Sequence, residues 1–179
     1  QVLGTIVDGE RKKELLEKIA ASEHFDVRAL AAQDPRDGEG LIATCEEAGE
    51  KHPSFILIAE GVDHPHLVQF VGDVDAPLFD EETPSQVRAL DVAVLHEGII
   101  DRMLGISKDA QEAKTNLRYK KKLGEAIAEL DDPSTQLLVI MNATPVEQVD
   151  EVCRSGGKMP QKSTYFYPKI LSGLVVNPL

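Results

Sequence analysis

The sequence is poor in several residue types that mark common classes of protein. It has no tryptophan, and aromatic residues make up only 4% of its 179 residues. Its two cysteines, Cys45 and Cys153, are not spaced like zinc ligands. We interpret them as free thiols in a reducing cytoplasm, with a disulfide between them as the alternative. No apolar run reaches the roughly 18 residues of a membrane-spanning helix, and we find no signal segment. These absences favour a cytoplasmic protein without a membrane partner.

Acidic residues are absent from the last part of the chain. Residues 152–179 contain four basic residues and no Asp or Glu, which gives this segment a charge of +4. The formal net charge of −12 therefore leaves −16 on residues 1–151. A net charge of this size on residues 1–151 repels phosphates at long range, which argues against nucleic acid as a partner. A local anion site in the basic segment is still compatible with this distribution.

The order of the predicted elements indicates an α/β fold with a mixed β-sheet and helices on its faces. Strands are predicted at 2–7, 25–28, 54–59, 66–71, 117–119, 136–141, 164–167 and 174–176. Helices are predicted at 10–22, 39–51, 123–130 and 145–154, with a long helix from Pro84 that ends near Gly105. Residues 136–141 form the most continuous apolar run, which is typical of a central strand covered on both faces. We expect the subregion 1–84 and the region 85–179 to form one continuous domain.

Two Thr-Pro sequences predict helix starts. Thr83-Pro84-Ser85-Gln86 and Thr144-Pro145-Val146-Glu147 both read as capping boxes, with Thr as the N-cap and Pro at the first helical position. In the second helix, Val146, Val149, Val152 and Cys153 are predicted to face the core. The turn before it joins the carboxyl end of a strand to a helix N-terminus, so Asn142 and Thr144 are candidate anion ligands. Helix capping alone is the competing interpretation.

The basic segment contains the stretch GGKMPQKSTYFYPK at 156–169. A phosphate-binding P-loop is excluded, because Gln161 rather than Gly precedes Lys162-Ser163 and no helix is predicted to follow. The remaining hypothesis is a basic edge that binds a carboxylate or phosphate. Its candidate ligand-binding residues are Lys162, Ser163, Thr164 and Tyr165. The alternative is a closing strand whose lysines balance nearby carboxylates.

The histidines give weaker evidence for a metal or catalytic site than the basic segment gives for an anion site. Asp63-His64-Pro65-His66 lies in a predicted hairpin loop, and we predict no metal site there because metal ligands usually come from more than one element. His96-Glu97 lies in the long helix near Asp91 and is interpreted as structural rather than catalytic. No Ser-His-Asp or Cys-His arrangement has a recognisable local context, and no cofactor is predicted.

Three segments together resemble a known family. They are residues 88–97, residues 142–149, and residues 159–169 with 173–179, where MPQKSTYFYPK is followed by GLVVNPL. In this order and spacing they resemble the C-terminal half of the bacterial and archaeal domain-of-unknown-function family 1015. The resemblance is strong over residues 85–179 and loose over residues 1–84.

The resemblance implies that the chain is one half of a longer protein. Family members carry upstream an Asp-Gly-His-His-Arg segment, similar to the phosphate-handling motif of ParB- and sulfiredoxin-like folds and of free-serine kinases. Here Asp8-Gly9-Glu10-Arg11 lacks both histidines. We therefore expect a companion domain that is not an enzyme alone and that adds an anion-binding edge to a nucleotide-handling N-terminal half, its partner. The alternative is a scaffold or dimerisation module, which would form a homo-oligomer without a ligand.

Overall fold

The structure is a computed structural model, and it describes residues 3–6, 12–114 and 116–160. The predicted strands at 164–167 and 174–176 lie outside this range, as do the candidate ligands Lys162, Ser163, Thr164 and Tyr165. The elements within it are β1 (Leu3–Ile6), α1 (Lys12–Ala20), β2 (Phe25–Ala29), α2 (Gly38–Gly49), β3 (Ser54–Ala59), β4 (His66–Phe70), α3 (Ser85–Arg88), α4 (Asp91–Ala93), a π-helix (Val94–Met103), α5 (Lys108–Ala113), β5 (Leu117–Lys120), α6 (Leu123–Ala128), a 3-10 turn (Glu129–Asp131), β6 (Leu137–Met141) and α7 (Val146–Arg154).

Six strands form one sheet in the order β2-β4-β3-β6-β1-β5. Helices pack on its faces, so the predicted α/β fold is confirmed. All five pairings between neighbouring strands are antiparallel, so the parallel pair that a mixed sheet requires is not found within the described residues. Alternating helices and strands suggest parallel pairs only when each helix returns the chain to an adjacent strand. Here β6 follows β5 through α6 but inserts between β3 and β1.

Strand β6 lies at the centre of the sheet, as the apolar run predicts. All five of its residues are buried. On one face, Leu137, Val139 and Met141 join the core beneath α1 and the π-helix. On the other face, Leu138 and Ile140 join the core beneath α2 and α6. The hairpin of β3 and β4 is also confirmed, with Ser54 opposite Gln69.

The predicted long helix from Pro84 is wrong, because the chain breaks at Leu90. Leu90 has an extended backbone (φ −81°, ψ 140°) and is almost fully buried. Its burial separates α3 from α4 and the π-helix, so tertiary packing overrides the helical periodicity. Gly105 follows the end of the π-helix with a positive φ of 72°, and the predicted helix end is confirmed.

Both predicted capping boxes are also wrong in register. Pro84 and Pro145 occupy the N-cap positions themselves, with ψ of 146° and 147°, and neither cap carries a side-chain hydrogen bond. Proline fixes φ near −65° but leaves ψ free, so it can stand before a helix as well as at its first position. The Thr83 hydroxyl instead donates to Glu97 Oε1 at 2.9 Å.

Helix α7 turns a different face to the core than the one predicted. Val152 is buried, and Gln148 and Val149 are half-buried. Val146 is 71% exposed and Cys153 is exposed, so the prediction that these two face the core is wrong. The buried face is centred between positions 148 and 152. It is rotated around the helix axis from the predicted face by about one residue, or roughly 100°.

Both cysteines are free thiols, as predicted, with Cys45 buried. Within the described residues, no helix combines the length and apolar character needed to cross a membrane.

Candidate functional site

A cavity of about 410 Å³ lies between the π-helix, α5, β5 and the loop before α3. Its wall contains His96 and Glu97 from the π-helix, Lys108 and Gln111 from α5, and Tyr119 from β5. Lys158 and Pro160 line it from the chain that follows α7. This volume is within the range of small-molecule sites in proteins, about 300–1,000 Å³.

The π-helix brings two neighbouring polar residues to the same cavity. Its wider turn is visible at its C-terminal end, where Leu104 N donates to the carbonyl of Ile99, five residues earlier, at 3.0 Å. Segments of this kind are rare and are frequent at functional sites. The ten residues Val94–Met103 place both His96 and Glu97 in the wall of the cavity.

Arg88 shapes the loop that forms the opposite wall. Its guanidinium donates to three backbone carbonyls of this loop, those of Thr83 at 2.6 Å, Asp80 at 3.0 Å and Glu81 at 3.2 Å. Backbone carbonyls that would otherwise need water are satisfied by one side chain from α3. The loop therefore has a fixed conformation over residues 80–83.

Glu97 ties this loop to α5. Its carboxylate accepts hydrogen bonds from the backbone N–H of Asp80 at 3.0 Å, from the Thr83 hydroxyl at 2.9 Å and from Lys108 Nζ at 3.2 Å. Lys108 also donates to Asp80, whose second oxygen accepts from Arg102 at 3.1 Å. The hydrogen bond from Lys108 holds the pKa of Asp80 below its usual value. These charges satisfy one another and frame the cavity.

His96 packs in the wall with its ring held on two sides. Nδ1 lies 2.6 Å from Oε1 of Gln111, and the ring stacks on Tyr119 with centroids 6.1 Å apart and planes at 24°. Burial lowers the pKa of His96, because a charged imidazolium would lose its hydration. The imidazole is therefore neutral at pH 7 and can accept as well as donate a hydrogen bond.

Two lysines of the cavity have no ion-pair partner in the described part of the chain. They are Lys114 and Lys158, and two carboxylates in the wall, Glu82 and Glu112, are likewise unpaired. Lys114 has a left-handed backbone (φ 54°) at the C-cap of α5, a conformation that costs a non-glycine residue about 1 kcal/mol. The αL cap directs its N–H to the carbonyls of Ala110 and Gln111.

The predicted ligands Asn142 and Thr144 are not part of this cavity wall. Asn142 Nδ2 donates to the carbonyl of Cys45 at 3.1 Å and lies 3.5 Å from Oδ2 of Asp91. A Cβ added at Gly49 would come within 2.1 Å of the same nitrogen, so the glycine makes room for this amide. Asn142 thus joins the end of β6 to α2. A role for either residue in ligand binding stays a prediction.

Sequence reasoning missed most of the cavity. His96 and Glu97 were interpreted as structural, and Lys108, Gln111, Lys114 and Tyr119 carried no motif that singled them out. The pair His64 and His66 joins no group of three metal-ligating side chains among the described residues. The one signal that points toward the cavity is the basic segment, since Lys158 belongs to it.

Comparisons of the chain with protein-family models, with curated proteins and with solved structures find no match. The resemblance to family 1015 therefore stays a prediction.

Proposed function

We propose that this cavity binds a small anionic molecule through a phosphate or carboxylate group. The observation that carries the proposal is the pair of unpaired ammonium groups, Lys114 and Lys158, at a cavity of suitable size in an otherwise acidic chain. Lys108 is neutralised by Asp80 and Glu97, so the two unpaired lysines supply the attraction. Glu82 and Glu112 line the same cavity and repel an anion that comes close to them.

The basic edge is proposed to belong to the same site. Pro160 lines the cavity, and Lys162 follows it by two residues. We propose that Lys162, Ser163, Thr164 and Tyr165 add donors for the same anion.

In the larger protein, this domain would act beside a nucleotide-handling half in the cytoplasm. The proposal rests on the family resemblance and on the missing His-His-Arg segment. The chemistry would reside in the partner half, and the present chain would hold the anionic end of the ligand. The free thiols of Cys45 and Cys153 are compatible with a reducing compartment.

A scaffold or dimerisation module is the second candidate. The observation that favours it is the exposed side of α7, where Val146 is 71% exposed. A contact surface would need further apolar side chains around Val146, because single exposed aliphatic residues are common on protein surfaces. A self-associating chain that binds no anion in the following test would support this alternative.

The proposal is tested by thermal unfolding in the presence of inorganic phosphate and of small carboxylates. Ligands that bind only the folded state raise the unfolding midpoint, and at a given concentration the rise is larger for a tighter ligand. We expect a midpoint rise for the wild-type chain that is smaller for Lys114→Ala and Lys158→Ala. Lys51→Ala, an exposed lysine away from the cavity, is the matched control and should respond like the wild type. Equal responses in all four proteins would contradict the proposal.

A further inference from the structure

We infer that the ligand of this cavity carries a hydroxyl group that donates a hydrogen bond to Nε2 of His96. The inference rests on the proposed function and narrows its ligand class to hydroxy acids and to phosphate monoesters that keep a free hydroxyl group. It follows from the way Gln111 fixes the imidazole.

The orientation of the Gln111 amide is set by the backbone. Its Nε2 donates to the carbonyl of Ile106 at 2.8 Å and to the carbonyl of His96 at 3.3 Å. Carbonyl oxygens accept only, so the amide nitrogen must face them and the amide oxygen must face the imidazole. Gln111 is 8% exposed, and it therefore has no solvent-side alternative.

This amide orientation determines the tautomer of His96. The Gln111 oxygen can only accept, and it lies 2.6 Å from Nδ1, so Nδ1 carries the hydrogen. In the neutral ring Nε2 then keeps its lone pair and is a hydrogen-bond acceptor. The lowered pKa of His96 agrees with this neutral state at physiological pH.

Nε2 is open to a ligand. No partner for this atom exists among the residues that the structure describes. The buried side-chain atoms that lack a partner there belong to Gln33, His66, Thr135 and Gln136, so Nε2 of His96 is not sealed inside the protein. A ligand that fills the cavity removes water from Nε2. If the ligand has no hydrogen-bond donor for this atom, its binding free energy is less favourable by about 1–3 kcal/mol.

The charged groups of the same cavity decide which donor fits. The charged groups are Asp80, Glu82, Glu97 and Glu112 and the lysines 108, 114 and 158, and the neutral phenol of Tyr119 is the remaining titratable group beside His96. An anion at Lys114 and Lys158 leaves a neutral donor as the partner of Nε2. A hydroxyl group on the same small molecule is such a donor.

The test compares pairs of anions that differ only in their hydroxyl groups, by one in the first pair and by two in the second. The probes are malate against succinate and glycerol 3-phosphate against propyl phosphate, titrated calorimetrically into the full chain at pH 7.5. We expect the hydroxylated member of each pair to bind about tenfold more tightly. His96→Phe keeps an aromatic ring on Tyr119 but lacks both nitrogens, and it should abolish the preference.

Gln111→Glu is a second variant that keeps the size of the side chain. A carboxylate beside Nδ1 raises the pKa of His96, because it stabilises the imidazolium. Nε2 of the imidazolium donates, and its strongest acceptors are the carboxylate or phosphate oxygens that both members of each pair carry. The preference for the hydroxylated probe should therefore weaken as the pH falls and return as it rises. The wild-type chain should keep its preference to a lower pH than this variant, because burial lowers the pKa of its His96. Circular dichroism of each variant verifies the fold.

The outcomes separate the two proposals. If none of the four probes binds, the anion site and this inference both fail. Equal binding of both members of each pair by the wild-type chain overturns the inference alone. A preference that survives in His96→Phe, or that does not change with pH in Gln111→Glu, likewise overturns it.

Discussion

At the residue scale, one carboxylate joins three parts of the site. Glu97 is only 13% exposed at its side chain and accepts from the Asp80 N–H, the Thr83 hydroxyl and Lys108. Glu112, in the same cavity wall, is exposed and has no such partners in the described chain. Two glutamates of identical chemistry therefore differ in the number of donors they satisfy, and hence in their expected contribution to stability.

We predict that Glu97→Gln lowers the free energy of unfolding by about 1–3 kcal/mol. The amide keeps the shape of the side chain but replaces one acceptor oxygen with a donor, which cannot pair with Lys108 or with the Asp80 N–H. Urea unfolding at pH 7 measures the change. Glu112→Gln is the control, with an expected change within about 0.5 kcal/mol. Equal losses in the two variants would show that the network around Glu97 contributes nothing specific.

At the element scale, the sequence predicts strands better than helix boundaries. The runs at 54–59 and 136–141 are continuously apolar, and a strand buried on both faces is what such runs form in a layered α/β fold. The π-helix could not be predicted, because its residues also fit the spacing of an α-helix and only the break at Leu90 separates it. The two Thr-Pro boxes failed because proline permits the extended ψ that both sites adopt.

Because β6 lies at the centre of the sheet, truncating one of its side chains should lower the free energy of unfolding by a large amount. Leu138 is fully buried between α2 and α6, so Leu138→Ala should destabilise the chain by about 2–5 kcal/mol. Val146→Ala on α7 removes an aliphatic side chain that is 71% exposed, and it should change stability by less than about 0.5 kcal/mol. Chemical denaturation of both variants measures the difference. Comparable losses would mean that α7 is packed against something in solution.

The N-terminus of α4 contains a carboxylate that links stability to pH. Burial raises the pKa of Asp91 to about 6, although a hydrogen bond from the Ser54 backbone and the Asn142 amide oppose the rise. The unfolded value is about 3.9, so between roughly pH 4 and 6 the folded state binds more protons than the unfolded state. Through this group, stability is therefore highest below about pH 4 and falls as the pH rises toward 6 and above.

We predict that Asp91→Asn removes this pH dependence. The wild-type chain should lose about 2–3 kcal/mol relative to the variant between pH 4 and pH 7. Urea unfolding of both proteins at four pH values measures the difference in their free energies of unfolding. Groups that titrate alike in both proteins cancel in this difference. Asp109→Asn, at an exposed position of α5, should give no such trend. A flat difference for Asp91→Asn would contradict the assignment of a buried, destabilised carboxylate.

At the scale of the whole molecule, the charge distribution and the cavity have to be considered together. The sequence predicts an acidic body with a basic end, and Lys158 brings that basic end to the cavity. The rest of the site is beyond sequence reasoning, because His96, Gln111 and Tyr119 come from three elements that meet only in the folded chain. Their proximity depends on the break at Leu90 and on the π-helix, neither of which leaves a pattern in the sequence.

The central claim of the proposed function is that the cavity binds negatively charged ligands. The same wall contains the lysines 114 and 158 and the carboxylates of Glu82 and Glu112, so a double substitution of each pair isolates the effect of one sign of charge. The measurement is calorimetric titration of inorganic phosphate and malate into the wild-type chain, a Lys114→Ala/Lys158→Ala variant and a Glu82→Gln/Glu112→Gln variant. We predict binding that weakens about tenfold when the lysines are removed and strengthens when the carboxylates are neutralised. Unchanged affinities in both variants, or the opposite pair of changes, would contradict an anion site in this cavity.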